Sequence, residues 1–174
     1  MNIIITGSQG LARSLGDQLS KDHRVTYLDR SNGHDINKVS TWAEKFYDQD
    51  MCINNAYHKW DQVAVLETFY HMWGNDSSKY IINIGSTISD YTRNEKDQDH
   101  EYMPYRLHKQ ALQAAFSKMV KQAKCTIKLI NPGPMDTQML ANVSWSNKMN
   151  TNLVAQAIVP MLIDPLIKRI DLWQ

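Results

Sequence analysis

The sequence predicts an α/β fold, a doubly wound parallel sheet of about six strands with helices on both faces. Three observations predict it. Short β-rich runs alternate with helical stripes from one end of the chain to the other. Most of those runs are apolar on both sides, as strands buried beneath two helical layers must be. The connections between them are long enough to carry a helix, the crossover that parallel strands require.

Taken in order, the expected strands are Asn2–Thr6, Arg24–Asp29, Met51–Asn54, Tyr80–Gly85, Cys125–Asn131 and Arg169–Leu172. Between them lie five helical stripes: Leu11, Leu15 and Leu19; Val39, Trp42, Ala43 and Phe46; Val63, Leu66, Phe69 and Trp73; Leu107, Ala111, Leu112, Ala115 and Met119; Leu153, Val154, Ala157, Ile158 and Met161. Spacing of three and four residues puts each set on one face of a helix, so these are core residues first. Two segments break the rhythm. Ser89–Tyr102 is polar and acidic-rich without period, either a solvated loop or a flap on the substrate side. Met135–Asn150 is polar around Trp145 and is expected to hold a short helix and a small lid.

Composition narrows the class. The 174 residues are expected to form a single domain over 1–174, with ordinary hydrophobic (43%) and charged (21%) fractions for a globular chain. A net charge of +1 gives no footprint for nucleic acid or an anionic membrane. No apolar run approaches the ~18–20 residues of a membrane span, and the N-terminal M-N-I-I-I-T-G lacks the charged region and cleavage site of a signal peptide. Cys52 and Cys125 sit among apolar residues as reduced thiols, which points to a cytoplasmic location. The six histidines show no metal-ligand spacing, so no metal site is expected.

The first strand runs into a glycine-rich turn, I-I-I-T-G-S-Q-G-L-A-R, that opens a helix. Glycines there let a pyrophosphate approach the backbone, and the helix N-terminus supplies N–H donors and a positive dipole end. Thr6, Gly7, Ser8, Gln9, Gly10 and Leu11 form this expected cradle for a dinucleotide. Asp29 ends the next strand, 22 residues past Gly7. A carboxylate there accepts from an adenosine ribose 2′-OH and repels a 2′-phosphate, so NAD is favoured. Arg13 and Arg30 are within reach of a phosphate, which keeps NADP open. Farther on, M-P-Y-R-L-H-K places Pro104 in the first turn of a helix, with Tyr105 and Lys109 four residues apart on one face. An ammonium held beside a phenol favours the phenolate and lowers its pKa from ~10 toward working pH. A phenol tuned this way passes protons to and from carbonyl or alcohol oxygens. The bland alternative is a surface helix with a snorkelling lysine.

These pieces, in this order, resemble the short-chain dehydrogenase/reductase superfamily, whose fold is the Rossmann fold, over nearly the whole chain. N-N-A-Y (Asn54 to Tyr57) resembles the N-N-A-G that borders the cofactor, which adds Asn55 and Ala56. The resemblance makes Ser86, closing I-I-N-I-G-S, the serine that bonds the substrate oxygen. It makes Tyr105 the acid/base and Lys109 the residue that lowers the tyrosine pKa and binds the nicotinamide ribose. N-P-G-P-M-D-T resembles the segment that holds the nicotinamide carboxamide, which implicates Pro132, Gly133, Met135 and Thr137. Asp35 and Ile36 resemble a pair near the adenine, although Asp35 is as readily a helix cap. The family also implies a homodimer or homotetramer, formed through the helices around Asp61–Trp73 and Pro104–Gln122, with Trp60, Tyr70 or Phe116 serving either that contact or the core.

The chain departs from the family in four places. Its glycine loop is closer to T-G-x-x-G-x-x-G of the extended members, with Arg13 at the last glycine. Only five residues separate Asp29 from Asp35, where most members carry a helix and a strand. The span from Ala56 to Ser86 is short for the usual full helix, and the family's relay asparagine has no clear counterpart. Tyr57 aligns near its place, and Asn75 falls in a predicted turn. The substrate lobe is cut to little more than Met135–Asn150. The expected function is NAD(P)-dependent hydride transfer between nicotinamide and a small alcohol or carbonyl substrate. The alternatives are a dinucleotide-binding sensor or scaffold without turnover and, behind it, a sugar-nucleotide epimerase or dehydratase. Tyr57, Tyr91, Tyr102 and Trp145 are candidates to line the substrate pocket.

Overall fold

Six strands pair in parallel: β1 (Asn2–Thr6), β2 (Arg24–Leu28), β3 (Met51–Asn54), β4 (Tyr80–Ile84), β5 (Thr126–Pro132) and β6 (Arg169–Leu172). A computed structural model describes residues 1–90, 102–142 and 147–173. Most of the expected flap at Ser89–Tyr102, Tyr91 within it, and Trp145 lie outside the described residues. The strand order is β2-β1-β3-β4-β5-β6. The chain steps from β1 to one side for β2 and then crosses back past β1 for β3. That reversal opens a crevice at the carboxyl ends of β1 and β3, where sheets of this kind bind ligands.

Among the described residues four α-helices cover the sheet: α1 (Leu11–Leu19), α2 (Asp61–Trp73), α3 (Met103–Met119) and α4 (Thr151–Ile158). Strand alternation sorts the core into two layers. Ile4, Cys52, Ile81 and Ile127 stand in register across four strands and pack on Leu66, Phe69 and Trp73 of α2 and Leu112 and Phe116 of α3. Ile3, Ile5, Ile53, Ile82 and Ile130 face the other way, onto Leu11 and Leu15 of α1 and Val154, Ala155 and Ile158 of α4. The side chains of Leu11 and Ile36 belong to these cores, 3% and 5% exposed, so any cofactor contact they make is through backbone.

The structure corrects three helix expectations. The stripe Val39–Phe46 forms two 3-10 turns, Ile36–Thr41 and Ala43–Phe46, broken where Trp42 takes φ −130°. The Thr41 hydroxyl donates to the Lys38 carbonyl at 2.8 Å, an acceptor a longer helix would need. On α4 the buried residues are Val154, Ala155 and Ile158, while Leu153 is 64% exposed. On α3 the buried stripe is Lys109, Leu112 and Phe116, and Leu107 is 47% exposed. The helix expected over Asp61–Trp73 is present as the 13 residues of α2. A tight entry turn makes room for it, with Lys59 at φ 45° and the Asp61 carboxylate meeting His58 Nδ1 at 2.6 Å. Among the described residues no helix is long and apolar enough to cross a membrane, and no three His, Cys, Asp or Glu side chains group as metal ligands.

Candidate functional site

The site is built where β1, β3 and β4 end. The β1 terminus is locked to β3 by Thr6, whose hydroxyl accepts from the backbone N–H of Asn55 (2.9 Å) and Ala56 (3.0 Å). Asn55 Nδ2 donates back to the Thr6 carbonyl at 3.4 Å. Thr6 and Asn55 therefore shape the crevice rather than project into it. Gly7 (φ 86°) and Gly10 (φ 56°) take left-handed conformations that a Cβ would strain. A Cβ on Gly10 would lie 3.2 Å from the Thr137 methyl, so the glycine loop and the segment after β5 approach each other here. Gln9 is exposed, and the N-terminus of α1 carries no side-chain cap. Its first N–H groups are thus left for another acceptor.

Asp29 is partly committed. Its Oδ1 accepts from Ser31 N (2.8 Å), Ser31 Oγ (2.5 Å) and Asn32 N (3.3 Å), capping the turn Arg30–Asn32 that replaces the missing helix and strand. Hydrogen bonds from Ser31 and then Ser8 hold its carboxyl below the ordinary range. Asp35 caps the next turn through Asn37 N (3.3 Å) and pairs with the largely exposed Arg30 at 3.4 Å. The Arg13 guanidinium lies 4.8 Å from the Tyr27 ring centroid. On the far side, Pro132 ends β5 buried, and Gly133 N–H donates to the Leu172 carbonyl at 3.0 Å. Met135 bridges to Met149, with Asp136 N donating to Met149 O at 2.9 Å, so the expected lid segment is clasped at its base.

Ser86 follows β4 as the chain enters a 3-10 turn, its Oγ accepting from Ile88 N–H at 3.4 Å. Ser86 lies near enough to the Tyr105 hydroxyl to lower its pKa. Tyr105 keeps part of its surface exposed, while its hydroxyl end is desolvated. Lys109 is 3% exposed, with its ammonium 5.4 Å from the Tyr105 ring centroid and 5.5 Å from that of Tyr57. The structure thus brings Ser86, Tyr105 and Lys109 together.

Their electrostatics differ from the expectation. Burial pushes the Tyr105 phenol up to about 12; Ser86 lowers it and Tyr57 adds to the rise. Burial also draws the Lys109 ammonium down to about 7. A lysine that sheds its own charge in an apolar setting does little to stabilise a phenolate.

Two residues beside this cluster, Gln62 and His108, were not singled out from the sequence, and a third, Tyr57, was placed near the relay position. Gln62, in the first turn of α2, accepts from Lys109 Nζ at 2.7 Å. His108 Nδ1 lies 2.8 Å from the Tyr57 hydroxyl and packs edge-on against Trp60 at 4.2 Å. Tyr57 in turn packs edge-on against Tyr105, their centroids 4.7 Å apart. A signal for Gln62 was present in the sequence. It lies four, seven and eleven residues before Leu66, Phe69 and Trp73, on the stripe of α2 that faces the core.

The fold is that of solved short-chain dehydrogenase/reductases. A short-chain dehydrogenase/reductase from Vibrio parahaemolyticus superposes with TM-score 0.75 at 14% identity, covering 98% of each chain. A short-chain dehydrogenase from Burkholderia cenocepacia J2315, solved with NADP, gives 0.73 at 16% identity over 99% of this chain and 87% of that one. A Burkholderia phymatum member, solved with NAD, gives 0.73 at 13% identity over 98% and 88%. No protein-family model matches the sequence, and no curated protein matches it.

Proposed function

We propose that this chain belongs to the short-chain dehydrogenase/reductase family and reduces a small carbonyl substrate with a nicotinamide dinucleotide. The observation that carries this reading is the convergence of Ser86, Tyr105 and Lys109 beside an uncapped, glycine-opened helix at one end of the sheet. The residues fit the cofactor. Gly7 and Gly10 leave backbone space, the α1 N-terminus supplies N–H donors, and Thr137 closes the cradle from the opposite side. Asp29 favours a free ribose 2′-OH and hence NAD over NADP, while Arg30, exposed and paired only at its edge with Asp35, is the side chain through which NADP would be held.

When bound, the dinucleotide supplies the hydride that reduces the carbonyl carbon. Ser86 lies beside the Tyr105 hydroxyl, so a carbonyl oxygen received by both gains two donors. Tyr105 then gives its proton to that oxygen. The phenol is protonated at neutral pH and so is available as the donor, while its rise to about 12 makes it a weaker acid than an exposed tyrosine. Lys109, 5.4 Å from the ring and drawn down to about 7 by burial, lends the phenolate left behind little charge.

One observation favours the sensor or scaffold reading, in which the dinucleotide binds without turnover. Burial moves Tyr105 away from working pH and takes from Lys109 part of the charge that would tune it. The two readings separate in one experiment. NADH and NADPH are titrated against the protein by nicotinamide fluorescence, and absorbance is then followed with a panel of small aldehydes and ketones. The reductase reading expects binding with turnover that Ser86→Ala and Tyr105→Phe abolish. Binding with no turnover leaves the sensor, and binding of neither dinucleotide defeats both.

A further inference from the structure

We propose that Gln62 is the positioning residue for Lys109, fixing its ammonium beneath Tyr105 and ending the proton path on the inner side of the site. The proposal rests on reading Tyr105 and Lys109 as a proton-handling pair, and it supplies the partner that the missing asparagine leaves open.

The Gln62 side chain, on a residue 2% exposed, is held at both ends of its amide. Nε2 faces three backbone carbonyls, Ile84 at 3.1 Å, Asn54 at 3.2 Å and Asn55 at 3.4 Å. Oε1 faces the Lys109 ammonium at 2.7 Å. Flipping the amide would set an oxygen against three oxygens and an NH2 against an ammonium, so the hydrogen-bond chemistry fixes its orientation. The Ile84 carbonyl takes a second Lys109 proton at 2.9 Å and also receives Gln62 Nε2, which ties lysine, glutamine and β4 into one unit. The Gln62 backbone carbonyl is held as well, by Asn54 Nδ2 at 2.8 Å. Asn54 continues to Asn83 at 3.0 Å, and Asn83 to the Lys128 carbonyl at 3.2 Å.

This layer accepts and donates hydrogen bonds but contains no group able to take up a proton. A carboxamide oxygen accepts from an ammonium without relieving it of its charge. The groups facing Lys109 are the phenol rings of Tyr57 and Tyr105, the Gln62 amide from α2 and the Ile84 carbonyl from β4, with His108 one hydrogen bond beyond Tyr57. Among the described residues no carboxylate lies within ion-pair distance of it. Proton exchange at Lys109 therefore runs outward, past Tyr105, and Gln62 closes the inner route.

The test is the titration of Lys109 followed by NMR at its side-chain carbon, assigned by its loss in Lys109→Met, with no dinucleotide present. Gln62→Met removes an acceptor for the charged form and is expected to lower the titration midpoint, by about one pH unit or a tenfold change in the equilibrium. Gln62→Glu adds a carboxylate and is expected to raise it. A purely structural glutamine predicts no such opposite movement, so unchanged midpoints or shifts of one sign in the folded variants overturn the proposal. If one variant fails to melt cooperatively, the other decides by its sign. The wild-type protein gives a check without any variant, because the enclosed ammonium protons are expected to exchange slowly with solvent. Exchange as fast as a surface lysine's also overturns it. Failure of the reductase reading would appear separately, as absent dinucleotide binding with the Lys109 titration intact.

Discussion

Lys109 is buried with its ammonium against the rings of Tyr105 and Tyr57, at 5.4 and 5.5 Å from their centroids. Its spacing from Tyr105 was legible, and so was its neighbourhood with Ser86. What was not legible is burial, which reverses the electrostatic argument by penalising the charge that was to tune the phenol. The same burial makes a prediction about stability. Lys109 binds its proton with a pKa of 10.5 when unfolded and about 7 when folded, so between those values the unfolded chain holds more protons. Stability should rise with pH across that window and fall again above pH ~10, where an unfolded tyrosine ionises but Tyr105 does not. Thermal melts of wild type and Lys109→Met from neutral to alkaline pH check this. The variant should lose the rise and be the more stable of the two at pH 6.

At the scale of elements, the four inner strands were read closely because both-sided apolarity survives any helix arrangement around them, while the edge strands β2 and β6 show alternating exposure. The Val39–Phe46 helix failed because its apolar spacing is satisfied equally by two short turns, and the Thr41 hydroxyl and the Trp42 conformation choose the turns. Helix α2 shows the converse. Its N-terminal turn is held by a strained Lys59 that a period analysis does not see, and that turn delivers Gln62 to Lys109. The junction of β4 with Ser86 is equally tight. A Cβ on Gly85 would fall 2.0 Å from Asn131 Oδ1, and Asn131 is held by Asp171 at 2.7 Å. Gly85→Ala should therefore cost about 1–3 kcal/mol through overpacking. Chemical denaturation measures that loss, and reduced turnover should accompany it because Ser86 is the next residue.

Across the whole molecule, the parallel sheet and its switch point put the glycine turn, Asn55, Ser86 and Tyr105 at one end of the sheet, although 98 residues separate Gly7 from Tyr105. Order along the chain made that clustering readable; the depth at which each group sits came only with packing. If the crevice holds a dinucleotide, saturating NADH at about 100 times its Kd should add roughly 2.7 kcal/mol of stability, seen as a rise of several degrees in Tm. NADPH should give the smaller rise if Asp29 governs the ribose. Pairing of two copies through α2 and α3 is a second expectation at this scale, with half-exposed Trp60 and Leu107 on those surfaces and Phe116 spent in the core. Light scattering after gel filtration tests it by mass. The central claim, that Tyr105 is the proton donor in carbonyl reduction, is tested most directly by the turnover rate of Tyr105→Phe saturated with NADH. The account predicts a loss of about 10²–10⁴-fold with NADH affinity retained. Turnover equal to that of the wild type would contradict it.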